Sequence, residues 1–81
     1  MFKKGDWVIL RVKESKKNII TPKNDLLDVL NMCAVVKIRY WSENNELFEV
    51  EYKTKRFRLT KSYYDIELIN EYELPEDLFK I

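Results

Sequence analysis

The amino-acid sequence predicts a mainly β fold, five short strands with one short helix in the loop after the first, and three observations point to it. Apolar and polar residues alternate in five separate stretches, a Thr-Pro pair precedes apolar residues spaced by three and four, and 81 residues suffice for one domain with a single thin core. Apolar residues make up 46% and charged residues 36% of the chain, the balance of a folded chain and not of a disordered one.

After Gly5-Asp6, Val8, Leu10 and Val12 alternate with Trp7, Ile9 and Arg11, which predicts a first strand with an inner and an outer face. Lys13 to Lys17 reads as a basic loop. Thr21-Pro22 is a helix start, because the hydroxyl can accept from an orphan N–H and proline lacks only a donor the first turn does not use. The helix is expected over about Pro22 to Asn31, with Leu26, Leu27, Val29, Leu30 and Cys33 on one side and Asp25, Asp28 and Asn31 facing out. A long second strand follows, with Ala34, Val36, Ile38 and Tyr40 inward and Val35, Lys37, Arg39 and Trp41 outward.

Ser42 to Glu46 is a turn in which asparagine can supply positive φ. The third strand places Phe48, Val50 and Tyr52 inward and Glu49 and Glu51 outward, which favours a register of Lys37 and Arg39 against Glu49 and Glu51. Lys53 to Lys55 turns the chain into a fourth strand, with Phe57 and Leu59 alternating with Arg56 and Arg58. Lys61 to Tyr64 fits one helical turn, and Asp65 to Ile69 a fifth strand with Ile66 and Leu68 inward. Leu74-Pro75-Glu76-Asp77 is a further helix start, within a C-terminal extension of about 70–81.

The apolar runs of the chain, such as that through Cys33 to Val36, are far short of the roughly 20 residues that span a bilayer. The N-terminus lacks the pattern of a signal peptide, and a lone cysteine suits a reducing compartment, so the expectation is a cytoplasmic protein. Neither a disulfide within the chain nor a conventional structural zinc site can be built from one cysteine and no histidine. The net charge of +1 conceals segregation: residues 1–23 carry seven basic and two acidic side chains, 53–61 five basic and no acidic, 65–77 six acidic and no basic. A polarised surface orients charged partners, unless the acidic stretch packs against the basic strands and cancels them.

Phe2-Lys3-Lys4-Gly5-Asp6-Trp7-Val8 resembles the F-x-x-G-D-x-V opening of KOW, Tudor-like and mind-bomb-type small barrels, and Ser62 to Leu68 is similar to the way such domains pass from a helical turn into their closing strand. The resemblance covers about residues 2–69 and implies a five-stranded SH3-like barrel. Gly5 is the chain's only glycine, where such barrels carry more, and the first loop is lengthened by a helix. Members bind proline-rich peptides, modified side chains, nucleic acids or folded proteins, so the fold selects no partner.

Catalysis is not expected. The chain has no histidine, no glycine-rich phosphate loop and no Gly-x-Ser-x-Gly, and Cys33 reads as a small buried hydrophobe with no base beside it. The carboxylates of Glu49 and Glu51, or Glu76 and Asp77, read as solvated surface. No catalytic, metal or cofactor site is expected.

Two binding readings remain. Lys53, Lys55, Arg56 and Arg58 with Lys37 and Arg39, beside Trp7, Trp41, Tyr63 and Tyr64, supply the charges and rings of a single-strand nucleic-acid binder, opposed by the near-zero net charge and the acids from Asp65 to Asp77. An aromatic cage or peptide groove from Trp7, Tyr40, Trp41, Phe48 and Tyr52 competes with their use as plain core. The favoured expectation is a protein-interaction module that docks through the helix, an exposed Trp41 with Trp7, and the charged strand edges at Arg39, Arg56 and Arg58. A homodimer through the helix or a strand edge is its variant. The Lys/Asn/Ile-rich composition resembles that of small accessory proteins of AT-rich bacteria and their phages, many of which regulate or inhibit one host protein.

Overall fold

A computed structural model describes residues 2–18 and 24–70. The predicted cap at Thr21-Pro22, and the helix start at Leu74-Pro75, lie outside those residues. The five strands are β1 (Trp7–Val12), β2 (Val35–Tyr40), β3 (Leu47–Tyr52), β4 (Lys55–Thr60) and β5 (Tyr64–Leu68). A 3-10 turn at Glu14–Lys16 and the helix α1 (Asn24–Asn31) lie between β1 and β2, and a second 3-10 turn at Lys61–Tyr63 leads into β5.

All neighbouring strands are antiparallel, in the order β4-β3-β2-β1-β5. The expected closed barrel does not form. The sheet curls, since three residues carry the chain from Thr60, opposite Leu47, to Tyr64, opposite Val12. Yet β4 and β5 do not pair, so the sheet keeps two edges.

The opening motif has a local cause. Gly5 has φ +96°, a conformation that strains any residue with a Cβ. Its N–H donates to the Ile38 carbonyl at 2.8 Å, while the Lys3 N–H donates to Asp6 Oδ2 at 3.0 Å and the Asp6 N–H to the Lys3 carbonyl at 3.1 Å. The Gly-Asp turn thereby fixes where β1 meets β2.

One face of the curled sheet holds the core: Val8, Leu10, Val36, Ile38, Phe48, Val50, Leu59 and Tyr64 are buried, with Leu26 and Val29 of α1 against them. Among the described residues no polar or charged side chain is buried. The helix covers the core with fewer residues than its sequence suggests. Leu26 and Val29 are buried and Leu30 is half-buried, but Leu27 stays 41% exposed.

A bulge in β2 overturns the expected faces of its last residues. Ile38 pairs with Val50 but Tyr40 pairs with Glu49, so β2 spends two residues where β3 spends one. An inserted residue inverts a period-two pattern. Tyr40 therefore turns out to the surface at 40% exposure, and Trp41, expected outside, packs against the core. The predicted pairing of Lys37 opposite Glu51 is present, whereas Tyr40 takes the place expected for Arg39 opposite Glu49.

Two turns also differ from expectation. Among the described residues the non-glycine positive φ values belong to Cys33 (+49°) and Lys53 (+56°), not to the asparagines of the β2–β3 turn. There the Asn45 side chain accepts from the Leu47 N–H at 3.0 Å, and the Asn45 N–H donates to the Ser42 carbonyl at 3.3 Å. Cys33 is exposed, not buried, because it ends α1. Its N–H donates to the Leu30 carbonyl at 3.2 Å and the Ala34 N–H to the Val29 carbonyl at 3.1 Å, the paired bonds of a Schellman cap, whose left-handed residue is usually glycine. Cys33→Gly should accordingly raise stability by about 1 kcal/mol, read as a higher urea midpoint at unchanged slope.

Candidate interaction surface

The residues expected to meet a partner divide between core and surface. Trp41 lies between Phe2 and Phe48, with ring centroids at 5.1 and 5.4 Å. The Lys61 ammonium stands 4.2 Å from the centre of its ring and donates to the Ser42 carbonyl, and the indole N–H points to Glu43 Oε1 at 3.4 Å. Its ring is used within the chain. Tyr64 is likewise internal: as the first residue of β5 it shares the parity of half-buried Ile66 and meets Phe48 edge-on at 6.4 Å, whereas Leu68, expected inward, lies at the end of the edge strand and is 56% exposed. Burial pushes its phenol above the ordinary 10.0. Tyr63 is half-buried under Lys16, 5.5 Å from its centroid.

Trp7 and the arginines are on the face away from the core. Trp7 is half-buried beneath the Lys37 ammonium, 5.4 Å from the ring. Ile69 donates to the Trp7 carbonyl at 2.9 Å and is only 8% exposed, so with Ile9 and Val35 it makes a second apolar zone on the outer face. Arg56 contacts Glu51 at 3.2 Å and Arg58 contacts Glu49 at 3.8 Å. Lys55 contacts Asp25 of α1 at 2.8 Å, and Arg11 contacts Glu67 at 2.8 Å. The basic strand is thus interleaved with carboxylates from its neighbours. Arg39 is half-buried, beside the bulge.

A cleft absent from the sequence reading opens between α1 and the β3–β4 turn. It has a volume of about 460 Å³, with Val29 and Tyr52 at its floor, exposed Met32 beside them, and charged Asp25, Asp28, Lys53 and Lys55 around it. Met32 is 59% exposed, and the Lys53 ammonium lies 5.4 Å from the Tyr52 ring. Both positive-φ residues, Cys33 and Lys53, border this end of the molecule. The one available signal in the sequence was Met32 directly after the helix, where the Schellman cap turns the chain and leaves the side chain in solvent. A smaller cleft of about 310 Å³ involves Tyr40, Leu47 and Arg58 on the outer face.

The opposite end is locked by Glu46. Its carboxylate accepts from the Ser62 N–H at 2.7 Å, and its carbonyl accepts from the Lys61 N–H at 2.8 Å. The Ser62 hydrogen bond holds the carboxyl below its ordinary 4.5. The folded form binds the proton more weakly than the unfolded one, so this contact supports the fold above about pH 4.5 and is lost as pH falls through the lowered value. Glu46→Gln should flatten the loss of thermal stability between about pH 5 and pH 3 relative to the parent chain, measured by melting at each pH.

Among the described residues no group of three acidic, cysteine or histidine side chains gathers in a way that would hold a metal ion, and no helix is long and apolar enough to cross a membrane. Comparisons with protein-family models, curated proteins and solved structures gave no match.

Proposed function

We propose that this chain is a non-enzymatic protein-interaction module, and that its partner docks at the end formed by α1 and the β3–β4 turn. The observation that carries the reading is the α1 cleft, where exposed Met32 adjoins a floor of Val29 and Tyr52 within a ring of both charge signs. An apolar centre with a polar rim is the anatomy of a protein interface. Trp41, with its ring already packed and covered by Lys61, is replaced in this reading by Met32.

The nucleic-acid alternative is less well supported. A phosphate chain lying across the outer face would cross Glu49, Glu51 and Glu67, and the net charge of +1 supplies no broad basic field to offset them. The opening Gly5-Asp6 turn and the 3-10 turn before β5 support kinship with SH3-like small domains in local design, without a closed barrel. A cytoplasmic regulator or inhibitor of one host protein, from an AT-rich bacterium or its phage, is the setting that composition and the lone cysteine favour.

The test is a titration of labelled single-stranded and duplex oligonucleotides at about 50 and 200 mM salt, beside an Arg56→Glu/Arg58→Glu variant. No binding at the lower salt is expected. Micromolar binding that falls steeply with salt and vanishes in the variant would overturn the protein-binding reading.

A further inference from the structure

We propose that β4 is a docking edge, at which an extended segment of a protein partner, acidic at alternate positions, adds to the sheet as a further strand; this rests on the protein-binding reading and names the partner's chemistry. Among the described residues β4 pairs with β3 alone. The loop between them has two residues, so Tyr52 and Lys55 are the hydrogen-bonded pair that closes the hairpin. Antiparallel alternation then aims the backbone of Lys55, Phe57 and Leu59 at β3, and the N–H and C=O of Arg56, Arg58 and Thr60 at the open side. The Lys61 N–H, bonded to the Glu46 carbonyl at 2.8 Å, continues the same alternation.

Charge selects the occupant. Residues 53–61 carry five basic side chains and no acidic one. The Arg56 and Arg58 side chains remain 60% and 68% exposed beside their β3 carboxylates, and a guanidinium has donors enough for a second carboxylate from the other side. An incoming strand would place acids beside these two arginines on the outer face, and apolar residues on the core side beside half-buried Phe57. A second copy of β4 brings arginine against arginine across a two-fold axis, an arrangement that edge charges oppose. The other edge, β5, carries Asp65 and Glu67 and repels such a segment. A phosphate chain uses the charges but leaves the row of backbone donors and acceptors unmatched.

The experiment follows backbone amide resonances of the full 81-residue chain during titration with a short alternating Glu-Val peptide, with a Lys-Val peptide and a single-stranded oligonucleotide in parallel. Shifts centred on Arg56, Arg58 and Thr60 are expected with Glu-Val alone, with affinity weakened about tenfold or more in Arg56→Gln/Arg58→Gln and retained in Lys4→Gln, which removes an exposed charge outside β4. No shift at those amides, equal response to Lys-Val, or response to the oligonucleotide alone overturns the proposal. So does strong exchange protection of the Arg56 and Arg58 amides in the free chain, which would mean that the edge is already occupied. Failure of the peptide alongside absence of oligonucleotide binding rejects the docking edge while leaving the protein-binding reading intact.

Discussion

Phe48→Ala should remove much of the chain's folding stability near room temperature. The ring is fully buried and lies between Trp41 and Tyr64, so it ties β3 to both the end of β2 and the start of β5. Truncating a buried phenylalanine costs about 3–5 kcal/mol, because the transfer energy and the cavity add. A chain of this length holds roughly 4–12 kcal/mol of total stability, so the loss consumes much of it. Urea unfolding followed by circular dichroism should show a broad, early transition or none. A parent-like midpoint would mean that Phe48 is not where the curled sheet closes on itself.

Trp41→Ala carries the second largest effect and separates a packing role from a docking role. The indole fills the space between Phe2 and Phe48 and holds the Lys61 ammonium against its face. Its removal should cost about 3 kcal/mol, the low end for such truncations because the ring is half-buried. An exposed tryptophan reserved for a partner would instead leave stability within about 0.5 kcal/mol of the parent. Because Trp41 and Phe48 touch, their losses should not add, and the double variant is expected to be less unstable than the sum of the two.

Trp41 lies inside, against strict alternation, because of the β2 bulge. Strict alternation from Ala34 puts position 41 outside, and only the extra residue between Ile38 and Tyr40 turns it in. No glycine marks that bulge, so the pattern contains no local sign of it. Strand number and the one-turn helix before β5 were legible because period-two runs and turn residues set them directly, while the limits of β2 and β5 fell a residue away from those expected. Tyr64, expected as a surface ring, continues the parity of Ile66 into the core, which its assignment to the preceding turn concealed.

Ion pairing shows a different limit. The alternating acids of β3 were expected to answer β2, and Lys37 does lie opposite Glu51, yet the close carboxylate contacts run to Arg56 and Arg58 on β4. A central strand has two neighbours, and sequence spacing does not say which one a flexible side chain reaches. Barrel closure was equally out of reach. It depends on whether β4 and β5 meet after the sheet curls, a property of accumulated twist rather than of any one residue. The α1 cleft arises between an element end and a turn far apart in sequence, and Cys33 in place of the usual glycine concealed the cap that shapes it.

The proposal with most at stake is docking of a protein partner where α1 faces the β3–β4 turn. Its most direct test places a photo-reactive residue at Met32 in the full chain, with a matched variant at Asn44 in the β2–β3 turn at the far end of β3, and crosslinks each in the producing cells. One discrete heavier protein species is expected from position 32 and none from position 44. Crosslinks confined to position 44, or position 32 yielding no protein adduct while nucleic acid is recovered, would contradict it.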